Sequence, residues 1–157
     1  MEFETKVQFL TQPEHNRRTI VISDIHGHRA WLEKLLKKVD FSEKDILIIV
    51  GDMIEKGPES LNTIRCIMEL CEKYTVYPMM GNVDLWRIQM LLTEDGSLDQ
   101  ELYETNERMR QYWKATFFQD LCREAGVSVK TPEEIPAARE AVLAKFQKEL
   151  TFMKELP

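Results

Sequence analysis

No run of apolar residues in this chain approaches the roughly 20 needed to cross a bilayer as a helix. The first 20 residues hold no continuous apolar stretch of the sort that a secretory leader carries. Neither a membrane span nor export is therefore expected, and the cytoplasm is the expected location. Paired cysteines are lacking too. Cys66, Cys71 and Cys122 are odd in number and show no CxxC spacing, so they read as free thiols rather than as a disulfide framework. Positive charge is not in excess: 21 Lys and Arg against 27 Asp and Glu give a net charge of −6. A nucleic-acid partner needs clustered Lys and Arg and is not expected. Histidine is scarce and lopsided, since His15, His26 and His28 are the full set and none follows residue 28. Strand-like runs are scarce as well beyond about Leu85.

What is present is an ordinary globular composition. The 157 residues are 43% hydrophobic and 31% charged, enough for one domain with a real core. Thr19-Ile20-Val21-Ile22 is β-branched and apolar, as a buried strand should be. A helix is expected from about His28 to Val39, with Trp31, Leu32, Leu35 and Leu36 on its inner face. Ile46 to Val50 reads as a second buried strand. A helix then starts near Pro58 and runs to about Glu72, and Tyr74 to Met79 reads as a third strand. Lys6 to Leu10 offers an edge strand. The alternation implies a βαβαβ unit with a largely parallel sheet.

From Leu85 onward the pattern is helical. Leu102, Met109, Trp113, Phe117 and Leu121 recur at helical spacing, with breaks at Asp95-Gly96-Ser97 and from Gly126 to Thr131. Thr131 is a candidate N-cap with Glu134 three residues on, and one long helix is expected from there to about Lys154. The fold class is α/β, an α/β half over residues 1–84 followed by an all-helical segment over residues 85–157.

Three loops carry metal-type donors, each directly after a strand. They are Asp24-Ile25-His26-Gly27, then Gly51-Asp52, then Gly81-Asn82. In an open α/β sheet, sites form outside the carboxyl ends of the strands, so the three loops would lie side by side. Carboxylate, imidazole and amide oxygen together suit manganese, iron or zinc. Each piece alone is common turn chemistry. Three in order, each after a strand, argue for a metal centre.

These stretches, with Met53-Ile54-Glu55-Lys56-Gly57-Pro58 and Val83-Asp84, resemble the calcineurin-like metallophosphoesterases. They are most similar to the bacterial Ser/Thr protein phosphatase branch and to the diadenosine tetraphosphatases, over about residues 18–84. The resemblance implies the metallophosphoesterase fold and a hydrolase that uses a hydroxide held between two divalent ions. Asp24 and His26 would bind the first ion, Asp52 would bridge both, and Asn82 would bind the second. Asp52, Asn82 and Asp84 fall in the catalytic set. Lys56 stands where that branch has a phosphate-contacting Arg, and is otherwise solvated surface. His28 is either a substrate contact or an exposed residue of the first helical turn. The expected substrate is a phosphorylated one, a phosphoprotein or a nucleotide.

Three departures from the pattern carry consequences. Val83 occupies the position of the proton-donating His, which leaves Asp84 without the side chain it would orient and favours good leaving groups. Glu55 replaces the usual Asp. The histidine motifs that the family draws from later strands have no counterpart here, so the chain is expected to be the N-terminal portion of a phosphatase, without the C-terminal strands of the fold. At most one well-held ion and little activity are expected of it alone. An uncovered sheet is expected to seek a homodimer or a domain swap. The alternative function is a non-catalytic metal- or phosphate-binding or interaction module.

Overall fold

A computed structural model describes residues 6–7, 17–92 and 112–157. His15, Leu102, Met109, the Asp95-Gly96-Ser97 break and all but two residues of the expected edge strand at Lys6–Leu10 lie outside the described residues; Lys6 and Val7 themselves are not in a strand. Strands β1 (Thr19–Ile22), β2 (Ile46–Val50) and β3 (Thr75–Met79) form a parallel sheet in the order β1-β2-β3. Val21 sits opposite Ile48, and Ile48 opposite Tyr77. Helices α1 (Arg29–Lys38) and α2 (Ser60–Lys73) connect successive strands. The βαβαβ reading is therefore right.

Alternation along a strand sends neighbouring side chains to opposite faces. On one face Leu47 and Ile49 are fully buried, packed with Leu32 and Leu36 of α1 and Leu61, Ile64 and Ile67 of α2. Each such side chain contributes roughly 1.5–3 kcal/mol by leaving water. The other face is different. Val21 is 59% exposed and Val50 46%, because no described element covers them. The expectation of a fully buried first strand is thus corrected: β1 lies at the sheet edge with Thr19 and Val21 exposed. A second correction concerns α1. Only Leu32 and Leu36 are buried, while Trp31 is 68% and Leu35 40% exposed. Four apolar residues span more of the helix circumference than one sheet face can cover.

Helix α3 (Asn82–Leu92) begins three residues earlier than the sequence pattern indicates, directly at Asn82. Its early start has a long-range cause, a cap from Asp52. The helical segment continues as a short 3₁₀ turn (Tyr112–Lys114), α4 (Thr116–Ala125), a second 3₁₀ turn (Pro132–Glu134), α5 (Ile135–Lys145) and α6 (Gln147–Glu155). Glu134 does reach back as expected, accepting from the Thr131 N–H at 3.1 Å and from the Lys130 N–H. The single long helix is not formed. Phe146 leaves helical backbone at φ −110°, ψ 32° and splits it. Ala138, Val142, Phe146, Leu150 and Met153 stay buried across the break. The periodic face is continuous, and the bend lets both halves of it follow the core.

Phe117, Phe118, Leu121, Phe146 and Leu150 share one apolar core with Ile64 and Ile67. Arg65 on α2 pairs with Glu124 on α4 at 2.9 Å and with Glu149 on α6 at 2.8 Å. The helical segment is packed onto the α/β half through this shared core and these ion pairs. Among the described residues no helix is long and apolar enough to cross a membrane, and Cys66, Cys71 and Cys122 are free.

Candidate metal centre

Parallel strands end on the same side, so β1, β2 and β3 deliver Asp24 and His26, Asp52, and Asn82 to one rim. The loops are then laced together backbone to backbone. His26 N–H donates to Asp52 O at 2.9 Å, Gly27 N–H to Met53 O at 2.8 Å, and Gly57 N–H to His26 O at 2.8 Å. Such close approach leaves no room for side chains. A Cβ on Gly57 would lie 2.3 Å from His26 O, and one on Gly81 would lie 2.2 Å from Asp52 N. At Gly81 the demand is therefore proximity, not the sharp turn that the sequence invites one to read there.

Asp24, His26 and Asp52 each offer a donor atom, and these atoms lie within 4.8 Å of one another. His26 Nε2 is 3.5 Å from Asp24 Oδ1 and 3.8 Å from Asp52 Oδ2. All three residues hold positive φ, at 54°, 47° and 52°. That conformation costs an L-residue about 1–2 kcal/mol, less for Asp and His than for most. Strain repeated at three neighbouring donors marks a site whose geometry the packed loops impose.

The tautomer of His26 follows from its partner. Nδ1 lies 3.1 Å from the Ile54 carbonyl, which can only accept. Nδ1 thus carries the proton, and Nε2 presents its lone pair toward the two carboxylates. An outer carbonyl that fixes the imidazole in this way is the usual support of a metal-bound histidine. The Lys56 ammonium sits 2.6 Å from that Nε2, donating to it. A cation therefore already stands among the donors. Two carboxylates and one neutral imidazole suit a divalent ion of the manganese, iron or zinc type.

Asn82 is exposed at the first residue of α3, flanked by Gly81 and Val83. Both neighbours touch Asp52: Gly81 through the close approach above, and Val83 through its N–H, which donates to Asp52 Oδ1 at 3.2 Å. Asp52 thus caps α3 from another loop, which is why the helix starts at Asn82. The N-terminal end of a helix dipole in turn favours the Asp52 anion.

Asp84 is fully buried. Its carboxylate accepts from Met53 N–H at 2.9 Å, Ile54 N–H at 3.1 Å and Gly81 N–H at 3.0 Å. Burial pushes its pKa up to about 6, against those hydrogen bonds, which lower it. It ties the second loop to the third and holds the donors in place from below. His28, half-buried, stacks on Trp31 with ring centroids 4.7 Å apart.

Glu55 plays a part that sequence reasoning missed. It is buried, and its carboxylate accepts from Thr116 N–H at 3.1 Å, Thr116 Oγ1 at 3.2 Å and Phe117 N–H at 3.2 Å. Arg87 Nε comes within 3.1 Å of the same carboxylate, an ion pair without hydrogen-bond alignment. Glu55 therefore caps α4 and joins the second loop to the helical segment. The extra methylene relative to Asp gives the reach for this, and only the departure from the family pattern could have drawn attention to it.

Comparison with known proteins agrees with the geometry. Serine/threonine-protein phosphatase 2 of Escherichia coli K12 is 35% identical over 85 residues, covering 54% of this chain and 37% of that protein. A symmetrical bis(5'-nucleosyl)-tetraphosphatase of Coxiella burnetii is 34% identical over 92 residues, covering 58% of this chain and 30% of its own length. In fold, the chain is similar to a crystal structure of a candidate diadenosine tetraphosphatase, with a TM-score of 0.53 and 24% identity over 93% of this chain and 46% of that one. The chain thus spans less than half the length of these relatives. The calcineurin-like phosphoesterase family model matches residues 17–136, the sheet, the donor loops and part of the helical segment together, and the chain belongs to the calcineurin-like phosphoesterase family.

Proposed function

We propose that the chain carries the first metal-binding half of a phosphomonoesterase centre. The observation that carries this reading is the convergence of Asp24, His26 and Asp52, with donor atoms within 4.8 Å. A divalent ion held there supplies Lewis acidity and an activated water for attack on phosphorus. Asp24, His26 and Asp52 would hold that first ion, of the manganese, iron or zinc type. Asn82 and Asp52 would serve a second ion more weakly, with only two donors between them. Asp52 and Asn82 are proposed to face the reacting phosphate. Asp84 is proposed to act through its backbone partners, as a positioning group. Lys56 is proposed to turn from His26 toward a phosphate oxygen, giving it charge without the paired contact that an Arg makes.

The proposed substrate is a phosphorylated compound, a phosphoprotein or a nucleotide, as the names of the relatives state for those proteins. Two units are proposed within one domain, residues 1–84 for the chemistry and residues 85–157 for its support, working in the cytoplasm. Association of two copies is proposed on the sheet face where Val21 and Val50 are exposed. A stable monomer in light scattering would overturn that association.

A second reading has its own observation. Val83 stands where the family has a proton donor, and general acid catalysis commonly contributes about 10²–10⁴-fold. A module that binds metal and phosphate without turnover fits this. Hydrolysis of para-nitrophenyl phosphate with added manganese separates the two. Metal-dependent turnover that is lost in Asp52→Asn supports the phosphoesterase. Metal binding without any turnover supports the module.

A further inference from the structure

We propose that the cleft beside the metal centre is a nucleobase subsite, in which a planar ring stacks on Trp31 while its phosphate reaches the donors and Lys56. This rests on the phosphoesterase reading and deepens it, because it selects nucleotides over phosphorylated protein side chains. The cleft has a volume of about 280 Å³ and is lined by both kinds of group that such a substrate needs. Asp24, His26 and Lys56 contribute the ion-binding and anion-binding chemistry, and Ile22, Leu35 and Trp31 contribute apolar wall.

Trp31 is not part of the packed face of α1. The buried face of α1 is made by Leu32 and Leu36, whereas Trp31 is 68% exposed. His28 lies against it with an interplanar angle of 17°, which fixes the orientation of the indole and leaves the rest of the ring to solvent. An oriented, exposed indole is a platform for any flat π-system, and stacking does not require a particular base. Lys56 places a positive charge on the same cleft, as a phosphorylated base requires. A larger cavity, about 440 Å³ between α1 and α2, contains none of the three donors and is lined by Glu33 and Glu69. It also carries Lys37 and Lys73 but has no exposed indole and no metal-type donor set.

The test uses the full chain and three probes: adenosine 5′-monophosphate, ribose 5-phosphate and adenosine. Binding is read by calorimetry with manganese present, and for adenosine by saturation-transfer NMR without metal. The monophosphate is expected to bind more tightly than ribose 5-phosphate. Trp31→Ala is expected to weaken the monophosphate by roughly five- to a hundredfold and to abolish adenosine binding, with ribose 5-phosphate unchanged. Trp31→Phe should restore most of the loss. Because Trp31 is exposed, its variants should melt as the parent does. Equal affinity for the two phosphates, together with no adenosine binding, would overturn the subsite and leave the phosphoesterase reading standing. Adenosine binding with no affinity for either phosphate would keep the subsite and overturn that reading. Binding of none of the three would overturn both.

Discussion

Gly81 and Gly126 lie in the two halves of the molecule and differ sharply in what surrounds them. A Cβ on Gly81 would meet Asp52 N at 2.2 Å and Asp52 Oδ1 at 2.3 Å. A Cβ on Gly126, the left-handed residue that ends α4 at φ +77°, would meet nothing within 4 Å. The strand-end loops are packed backbone on backbone, with Asp24, His26 and Asp52 held at positive φ. The helical segment is held by ordinary side-chain burial. The candidate metal donors thus sit where the backbone is most constrained.

Alanine at each glycine tests that contrast first, with the largest expected effect. Gly81→Ala should cost at least about 3 kcal/mol, since backbone must move. Gly126→Ala should cost about 1 kcal/mol, the left-handed penalty alone. Urea unfolding of both variants checks it, and equal losses would remove the distinction. Next in size is Glu55→Ala, which leaves the first N–H groups of α4 unpaired and Arg87 without its partner. About 2–4 kcal/mol should be lost, with faster hydrogen exchange at Thr116 and Phe117 than at the β2 amides. If the loss spreads evenly over the sheet, Glu55 is not the joint between the halves.

Asp84 sharpens the comparison through pH. Its pKa is raised from 3.8 to about 6 by burial. Between those values the native state keeps a proton that the unfolded state releases, so stability falls as pH rises from about 4 to 6 and is flat above. The loss should be on the order of 3 kcal/mol. Asp84→Asn should show no such slope in urea melts across this window, and a slope that persists would assign it elsewhere. The smallest effect belongs to the helical side. Arg65→Ala removes a half-exposed pair to Glu124 and a pair to the buried Glu149 and should cost about 1–2 kcal/mol, with metal affinity unaffected in a manganese titration.

Much of this was legible in local sequence. Apolar β-branched runs ending in Asp24-Ile25-His26, Gly51-Asp52 and Gly81-Asn82 gave both the parallel sheet and the rim on which the donors meet. Long-range contacts were not legible. Nothing local to residue 82 announces that Asp52 will cap α3, and nothing at Glu55 points to Thr116, 61 residues away. The exposure of Trp31 and Val21 was misread because periodicity gives a helix or strand face but not what covers it. The bend at Phe146 was hidden for a related reason, since the apolar spacing runs through it unbroken.

The metal centre requires that Asp24, His26 and Asp52 hold one divalent ion together. Calorimetric titration of the full chain with manganese should give one ion per chain. Loss of an outer partner of a metal site already costs about 10–100-fold in affinity, so His26→Gln and Asp52→Asn should each weaken binding by at least that much, while Arg65→Ala binds as the parent does. Manganese bound equally by the parent and by both ligand variants would contradict the assignment of the centre.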